Sequence, residues 1–183
     1  MVSIEYFVHG TTVDNELGLA SGWRQAQLSA KGREQATALG RSIADRGFDR
    51  VYTSDLDRAV ESARLIFGDE RAIVVDARLR ECDYGSLAGE PASELKDRAT
   101  EFIDTPFPGG ESYRDVERRM AAFLDDLCDL PDGTRVAIMA HQAPQLALDV
   151  LLRGRTWTQA IDEDWRRAGS WQPGWPYELP TPG

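Results

Sequence analysis

Two largely apolar runs of strand length, Ile4-Glu5-Tyr6-Phe7-Val8 and Val136-Ala137-Ile138-Met139-Ala140, constrain this chain most. Each is followed at once by one of its only two histidines, His9 and His141. Such runs read as buried strands. In open α/β sheets ligands bind beyond the carboxyl ends of the strands, so two imidazoles far apart in sequence are expected to converge on one crevice.

The rest of the chain supports this frame. Further strand candidates are Arg50–Thr53, residues 72–75, Arg135–Ala140 around the second run, and a weaker Trp175–Leu179. Between them, Ala36, Leu39, Gly40 and Ile43 fall at helical spacing, as do Val116, Met120, Phe123, Leu124 and Leu127 with one step of drift. Strands alternating with amphipathic helices predict a three-layer α/β/α sandwich with a mostly parallel central sheet, in one domain over residues 1–183. Ser54-Asp55 is expected to cap a helix over residues 56–67, and Ser112 with Asp115 to form a capping box opening Tyr113–Leu127. The Pro- and aromatic-rich tail from Trp171 to Tyr177 suits an edge strand or a strap over the sheet.

Composition narrows the function. A formal charge of −10 disfavours nucleic acid and anionic membranes, whose binding draws on Lys and Arg. There is no signal-like N-terminus and no apolar run near the ~20 residues of a membrane span, so a soluble, cytoplasmic protein is expected. Cys82 and Cys128 lack metal-ligand spacing and are expected as reduced thiols, with no metal site. Nothing in the sequence specifies an oligomeric state.

Chemistry-bearing residues gather at predicted strand ends. After the first strand come His9, Gly10 and Thr12, with Asn15 six positions beyond the histidine. Gly10 allows close backbone approach to a bound group, and Thr12 and Asn15 offer small donors. Arg58 falls in the first turn of a helix, where guanidinium and helix N-terminus together would hold an anion. Glu81 follows the third strand and is a candidate general acid; His141 follows the fourth, with Gln142 and Pro144 opening the next helix. Ser21 and Gly22 in the loop over residues 18–22, with Gln142, complete the expected substrate-binding set.

In this order the words resemble the histidine phosphatase superfamily, with its phosphoglycerate mutase-like fold, and specifically its small phosphatase branch. The resemblance covers nearly the whole chain. It includes Leu28-Ser29-Ala30-Lys31-Gly32 with Gln35-Ala36, Tyr52-Thr53-Ser54-Asp55-Leu56-Asp57-Arg58-Ala59, and Pro108-Gly109-Gly110-Glu111-Ser112. It implies phosphoryl transfer through phosphohistidine. His9 would be the nucleophile, Glu81 the proton donor and acceptor, and His141, Arg58 and Asn15 the groups holding the phosphoryl oxygens, with no metal or organic cofactor.

The chain departs from the family pattern at three places. Val8 stands where the motif normally has arginine, removing a charge-assisted hydrogen bond typically worth about 1.5–3 kcal/mol. The pocket must then recruit another cation, with Arg24 and Arg80 nearest in the motifs, or accept a less charged ligand. Gln142 replaces the usual glycine after His141, and Ala88 replaces a glutamate before Gly89. Cys82 occupies the position where mutases place a basic residue, which argues against mutase activity. The expectation is a phosphomonoester hydrolase acting on a small phosphorylated metabolite. The competing reading, motivated by Val8, is a degenerate homologue that binds a phosphorylated or acidic ligand, or a protein partner, without turnover.

Overall fold

The computed structural model describes residues 1–164, 166 and 174–180. Five strands form one sheet: β1 (Val2–Val8), β2 (Arg50–Thr53), β3 (Ile73–Val75), β4 (Arg135–Ala140) and β5 (Trp175–Leu179), in the spatial order β3-β2-β4-β1-β5. The pairs β2–β3, β2–β4 and β1–β4 are parallel, and β5 closes the sheet as an antiparallel edge beside β1. The fold is the expected mostly parallel α/β sandwich. The tail is an edge strand from Trp175 onward, with Trp175, Tyr177 and Leu179 inward and Pro176 and Glu178 outward. This is where a proline without an N–H is tolerated. Trp171, Gln172 and Pro173 lie outside the described residues.

Because β1 and β4 are central, their side chains feed two apolar layers. Phe7, Ala137 and Met139 pack with Ala36, Leu39 and Ile43 of the α2 region and with Ala63 and Ile66 of α3, where α2 is Ala30–Ser42 and α3 is Asp57–Phe67. Tyr6, Ile138 and Ala140 face the opposite cluster, which includes Val116, Met120 and Phe123 of one helix and Leu146 and Leu148 of another. The remaining helices are α1 (Val13–Glu16), α4 (Ala92–Asp97), α5 (Tyr113–Leu127), α6 (Gln142–Arg153) and α7 (Trp157–Asp162). No described helix is long and apolar enough to cross a membrane.

The capping box on α5 forms as its sequence predicts: Ser112 Oγ accepts from the Asp115 N–H, while the Asp115 carboxylate accepts from the Ser112 N–H. The cap expected at Ser54-Asp55 does not. Leu56 is the N-cap of α3 and offers no side-chain bond; the Asp55 carboxylate is taken up by Arg80, and Ser54 Oγ accepts the N–H of Leu56 itself, not one in the first turn. Ser54 also turns inward to His141.

Candidate active site

Strand register brings the histidines together. Val8 and Ala140 are parallel partners, so the next residue of each strand emerges at the same level, and the His9 N–H donates to the Ala140 carbonyl at 3.1 Å. The two rings lie 5.1 Å apart, centroid to centroid. Tyr6 ties the second turn down: its hydroxyl donates to the His141 carbonyl at 2.7 Å and accepts from the His141 N–H at 3.0 Å.

His9 is held in one tautomer. Its Nδ1 lies 2.7 Å from the Gly10 carbonyl oxygen, which can only accept, so Nδ1 carries the proton and Nε2 carries the lone pair. Arg58 Nε donates to that Nε2 at 3.3 Å. Burial first, and the Arg58 charge second, push the His9 pKa down from 6.5 to about 3, against the opposing pull of the Gly10 carbonyl. The imidazole is therefore neutral at ordinary pH.

Arg58 is almost wholly buried, with Nη2 donating to the Gly22 carbonyl at 2.6 Å and Nη1 to the Arg24 carbonyl at 3.0 Å. Its obvious acidic neighbours in sequence are committed elsewhere, Asp55 to Arg80 and Glu61 to Arg33. The guanidinium thus stands beside His9 on two loop carbonyls, without a carboxylate paired to it among the described residues.

Glu81 receives three backbone N–H groups. Cys82 and Ala143 donate to Oε1, each at 2.9 Å, and Gln142 donates to Oε2 at 3.1 Å. Two of these donors are the first residues of α6, whose N-terminus favours negative charge. The Glu81 carbonyl is braced by Trp23 Nε1 at 2.7 Å and Arg119 Nη2 at 2.9 Å. Arg119 is paired in turn with Glu111 of the Pro108-to-Ser112 word, and Glu111 also accepts the Asp83 N–H at 3.0 Å. That late loop therefore acts as a buttress for the Glu81 turn.

His141 is fully buried, with Nε2 at 2.6 Å from Ser54 Oγ and, among the described residues, no partner for Nδ1. Burial, then the charge of Arg58, holds its pKa well below the usual histidine range.

A cavity of about 440 Å³ opens at these strand ends, and His9, Gly10, Asn15, Arg58, Glu81 and Gln142 reach it. Ser21 and Gly22 also line it; Ser21 Oγ donates to Asp14 at 2.9 Å and Gly22 offers its carbonyl to Arg58. Thr12 does not line it. Its side chain is fully buried and caps α1, accepting from the Asn15 N–H, while Asn15 Oδ1 returns the bond to the Thr12 N–H. Thr12 shapes the turn that presents Asn15 and is not itself presented.

Gly10 has a reason beyond close approach of a ligand. A Cβ there would sit 2.3 Å from the Gly32 carbonyl oxygen, and a Cβ on Gly32 would sit 2.0 Å from that of Thr11. The His9 loop and the first turn of α2 touch backbone to backbone, and Gln35 seals the contact by accepting from the Thr11 N–H and hydroxyl. The Gly32 and Gln35 positions of the sequence motif already carried that signal.

Neither arginine expected to replace the missing motif cation lines the cavity. Arg80 is clamped to Asp55 and lies over the Trp23 ring, and Arg24 bonds the Ala88 carbonyl. The segment over residues 90–107 folds into α4 and a 3₁₀ turn at Ala99–Phe102, and Ala92, Leu95, Lys96 and Ala99 form a wall of the cavity. Arg166 and Trp175 line it as well. Arg166 lies in a stretch with no motif or period that could have marked it.

Comparison with known proteins agrees with this geometry. The chain is 32% identical over 149 residues to a 2,3-bisphosphoglycerate-dependent phosphoglycerate mutase of Parvibaculum lavamentivorans, covering 73% of this chain and 71% of that one. It is 38% identical over 133 residues to the fructose-2,6-bisphosphatase TIGAR of Xenopus tropicalis, covering 67% of this chain and 48% of that one. The structure resembles the α-ribazole phosphatase of Shigella flexneri with a TM-score of 0.78 at 25% identity, over 87% of this chain and 84% of that one. Residues 7–176 match the histidine phosphatase superfamily (branch 1), and the chain belongs to that family.

Proposed function

We propose that this protein is a phosphomonoester hydrolase that acts on a small phosphorylated metabolite through a phosphohistidine on His9. The observation that carries the reading is the His9 tautomer: Nδ1–H is committed to the Gly10 carbonyl, so the Nε2 lone pair stands beside Arg58 in the cavity. Nε2 attacks phosphorus in line and the ester P–O bond breaks. The leaving alkoxide takes a proton through Glu81, which draws it from the monoprotonated ester and passes it on. A water then attacks the phosphohistidine and gives its proton to Glu81; the N–P bond breaks, and phosphate leaves neutral His9 behind. Arg58 and Asn15, which line the cavity, hold the equatorial oxygens, with His141 buried beside His9, and this charge stabilisation and positioning account for most of the rate in such reactions.

Hydrolysis is favoured over mutase chemistry by Cys82. This residue is fully buried and its thiol is pushed up by burial, so the turn after Glu81 offers no cation for a substrate carboxylate. The relatives span a mutase, a bisphosphatase and a phosphatase, which is consistent with a small phosphorylated metabolite without naming one.

The second reading, ligand binding without turnover, rests on Val8, an apolar residue on the cavity wall beside the nucleophile. Rapid-quench mass spectrometry after mixing with a panel of phosphomonoesters separates the two. A phosphoryl group on the His9 peptide that chases off with water, and is lost in His9→Ala, is the expected result. A folded protein that never acquires the label overturns the hydrolase reading in favour of the binder.

A further inference from the structure

Position 8 leaves the cavity short of positive charge at a defined place. Val8 packs with the apolar cluster on the α5 and α6 side of the sheet, the side that Tyr6 also faces. One strand over, Tyr6 is the register partner of Trp175 on β5. The Arg166 guanidinium carbon lies 5.1 Å from the Trp175 ring centroid, a cation–π distance. Val8, Arg166 and Trp175 line the same cavity as His9.

Arg166 is positioned by side chains. Its side chain is only 13% exposed, Nη1 donates to Asp164 Oδ1 at 2.8 Å and to Gln145 Oε1 at 3.1 Å, and Asp164 caps its N–H at 3.1 Å. Asp164 in turn receives the side-chain amide of Gln142, the residue directly after His141. Two departures in sequence, an apolar residue before His9 and an amide after His141, thus line the same cavity as Arg166. The amide anchors the carboxylate that holds the guanidinium, and the valine supplies no cation to the cavity it lines. The charge is felt at the site, since Arg166 contributes, after burial and Arg58, to lowering the His9 pKa.

We propose that Arg166 is the second guanidinium of the phosphoryl pocket, taking over the phosphate contact that position 8 cannot make, with Gln142 and Asp164 as its positioning residues. This rests on the phosphoryl-transfer reading of the site. Because Asp164 also lines the cavity, the pair adds directed N–H donors and little net charge, so the expected contribution is that of one charge-assisted hydrogen bond.

The test measures binding of inorganic phosphate by titration calorimetry and hydrolysis of p-nitrophenyl phosphate in the full chain. In Arg166→Gln, phosphate affinity and kcat/KM are expected to fall about 10- to 100-fold. Arg166→Lys, which keeps the charge but not the fork, is expected to fall between, and Val8→Arg in the Arg166→Gln background to restore most of the loss. Arg98→Gln, an exposed residue paired with Glu101, is expected to change neither quantity. Wild-type phosphate affinity in folded Arg166→Gln overturns the proposal, as does a failure of Val8→Arg to rescue. The two readings fail separately: His9-labelled turnover unaffected by Arg166→Gln sinks only the arginine assignment. Phosphate binding that depends on Arg166 without any phosphohistidine sinks only the hydrolase. A folded wild-type chain that neither binds phosphate nor turns over sinks both.

Discussion

Ser54 Oγ and His141 Nε2 are 2.6 Å apart, buried between neighbouring strands. β2 pairs with β4 up to Thr53 and Met139, so Ser54, one residue on, lies beside the end of β4, where Ala140 gives way to His141. The same hydroxyl accepts the Leu56 N–H at 3.3 Å, so Ser54 joins the start of α3, which carries Arg58, to the second histidine. Ser54→Ala would leave the imidazole nitrogen buried without its partner. Turnover is expected to fall by about 10-fold, the kinetic equivalent of one ordinary hydrogen bond, with near-UV circular dichroism unchanged. Unchanged kcat would mean that Tyr6 and the backbone alone orient the ring.

The backbone contact between Gly10 and Gly32 makes a stability prediction independent of catalysis. Gly32→Ala places a methyl within 2.0 Å of the Thr11 carbonyl oxygen, and rigid backbone stands on both sides. A loss of about 2–3 kcal/mol is expected, read as a lower urea midpoint. Wild-type stability in this variant would show that α2 can retreat from the His9 loop at no cost.

Acid should destabilise the fold through its histidines. The folded-state pKa of His9 is about 3, below the ordinary 6.5, and that of His141 is also lowered. Between these limits the unfolded chain binds more protons than the folded one, so stability is complete above about pH 6.5 and declines as pH falls toward 3. Urea midpoints at pH 7, 5 and 4 should decrease in wild type and decrease less steeply in His9→Gln. Identical slopes would show that His9 gains no protonation penalty on folding.

The two thiols should differ sharply in reactivity. Cys82 is fully buried and burial pushes its pKa up, whereas Cys128 is partly exposed, its Sγ lying 3.8 Å from the Pro180 carbonyl oxygen. A disulfide-exchange reagent at pH 8 is expected to modify one thiol per native chain and two in urea. Rapid modification of both in the native state would mean that the Glu81 turn opens readily.

Much of the fold could be read from the chain because it rests on local regularities. The apolar runs ending at Val8 and Ala140, the helical spacing of Val116, Met120 and Phe123, and the Ser112–Asp115 cap are properties of neighbouring residues, and each element forms within a residue or two of where its pattern places it. The four strand-end groups His9, Arg58, Glu81 and His141 were likewise visible as residues, since strand ends announce themselves by where an apolar run stops. What the chain alone did not determine were partnerships across elements. Ser54 looked like a helix cap and became the neighbour of His141, Thr12 looked like a ligand donor and became a cap, and Gly10 proved to be needed against Gly32. Arg24 and Arg80, close to the motifs in sequence, lie away from the cavity, while Arg166 lines it. Sequence distance measures reach along the chain, but a guanidinium acts through a few ångströms of space, and only the antiparallel docking of β5 beside β1 decided that Trp175, and with it Arg166, would line the cavity.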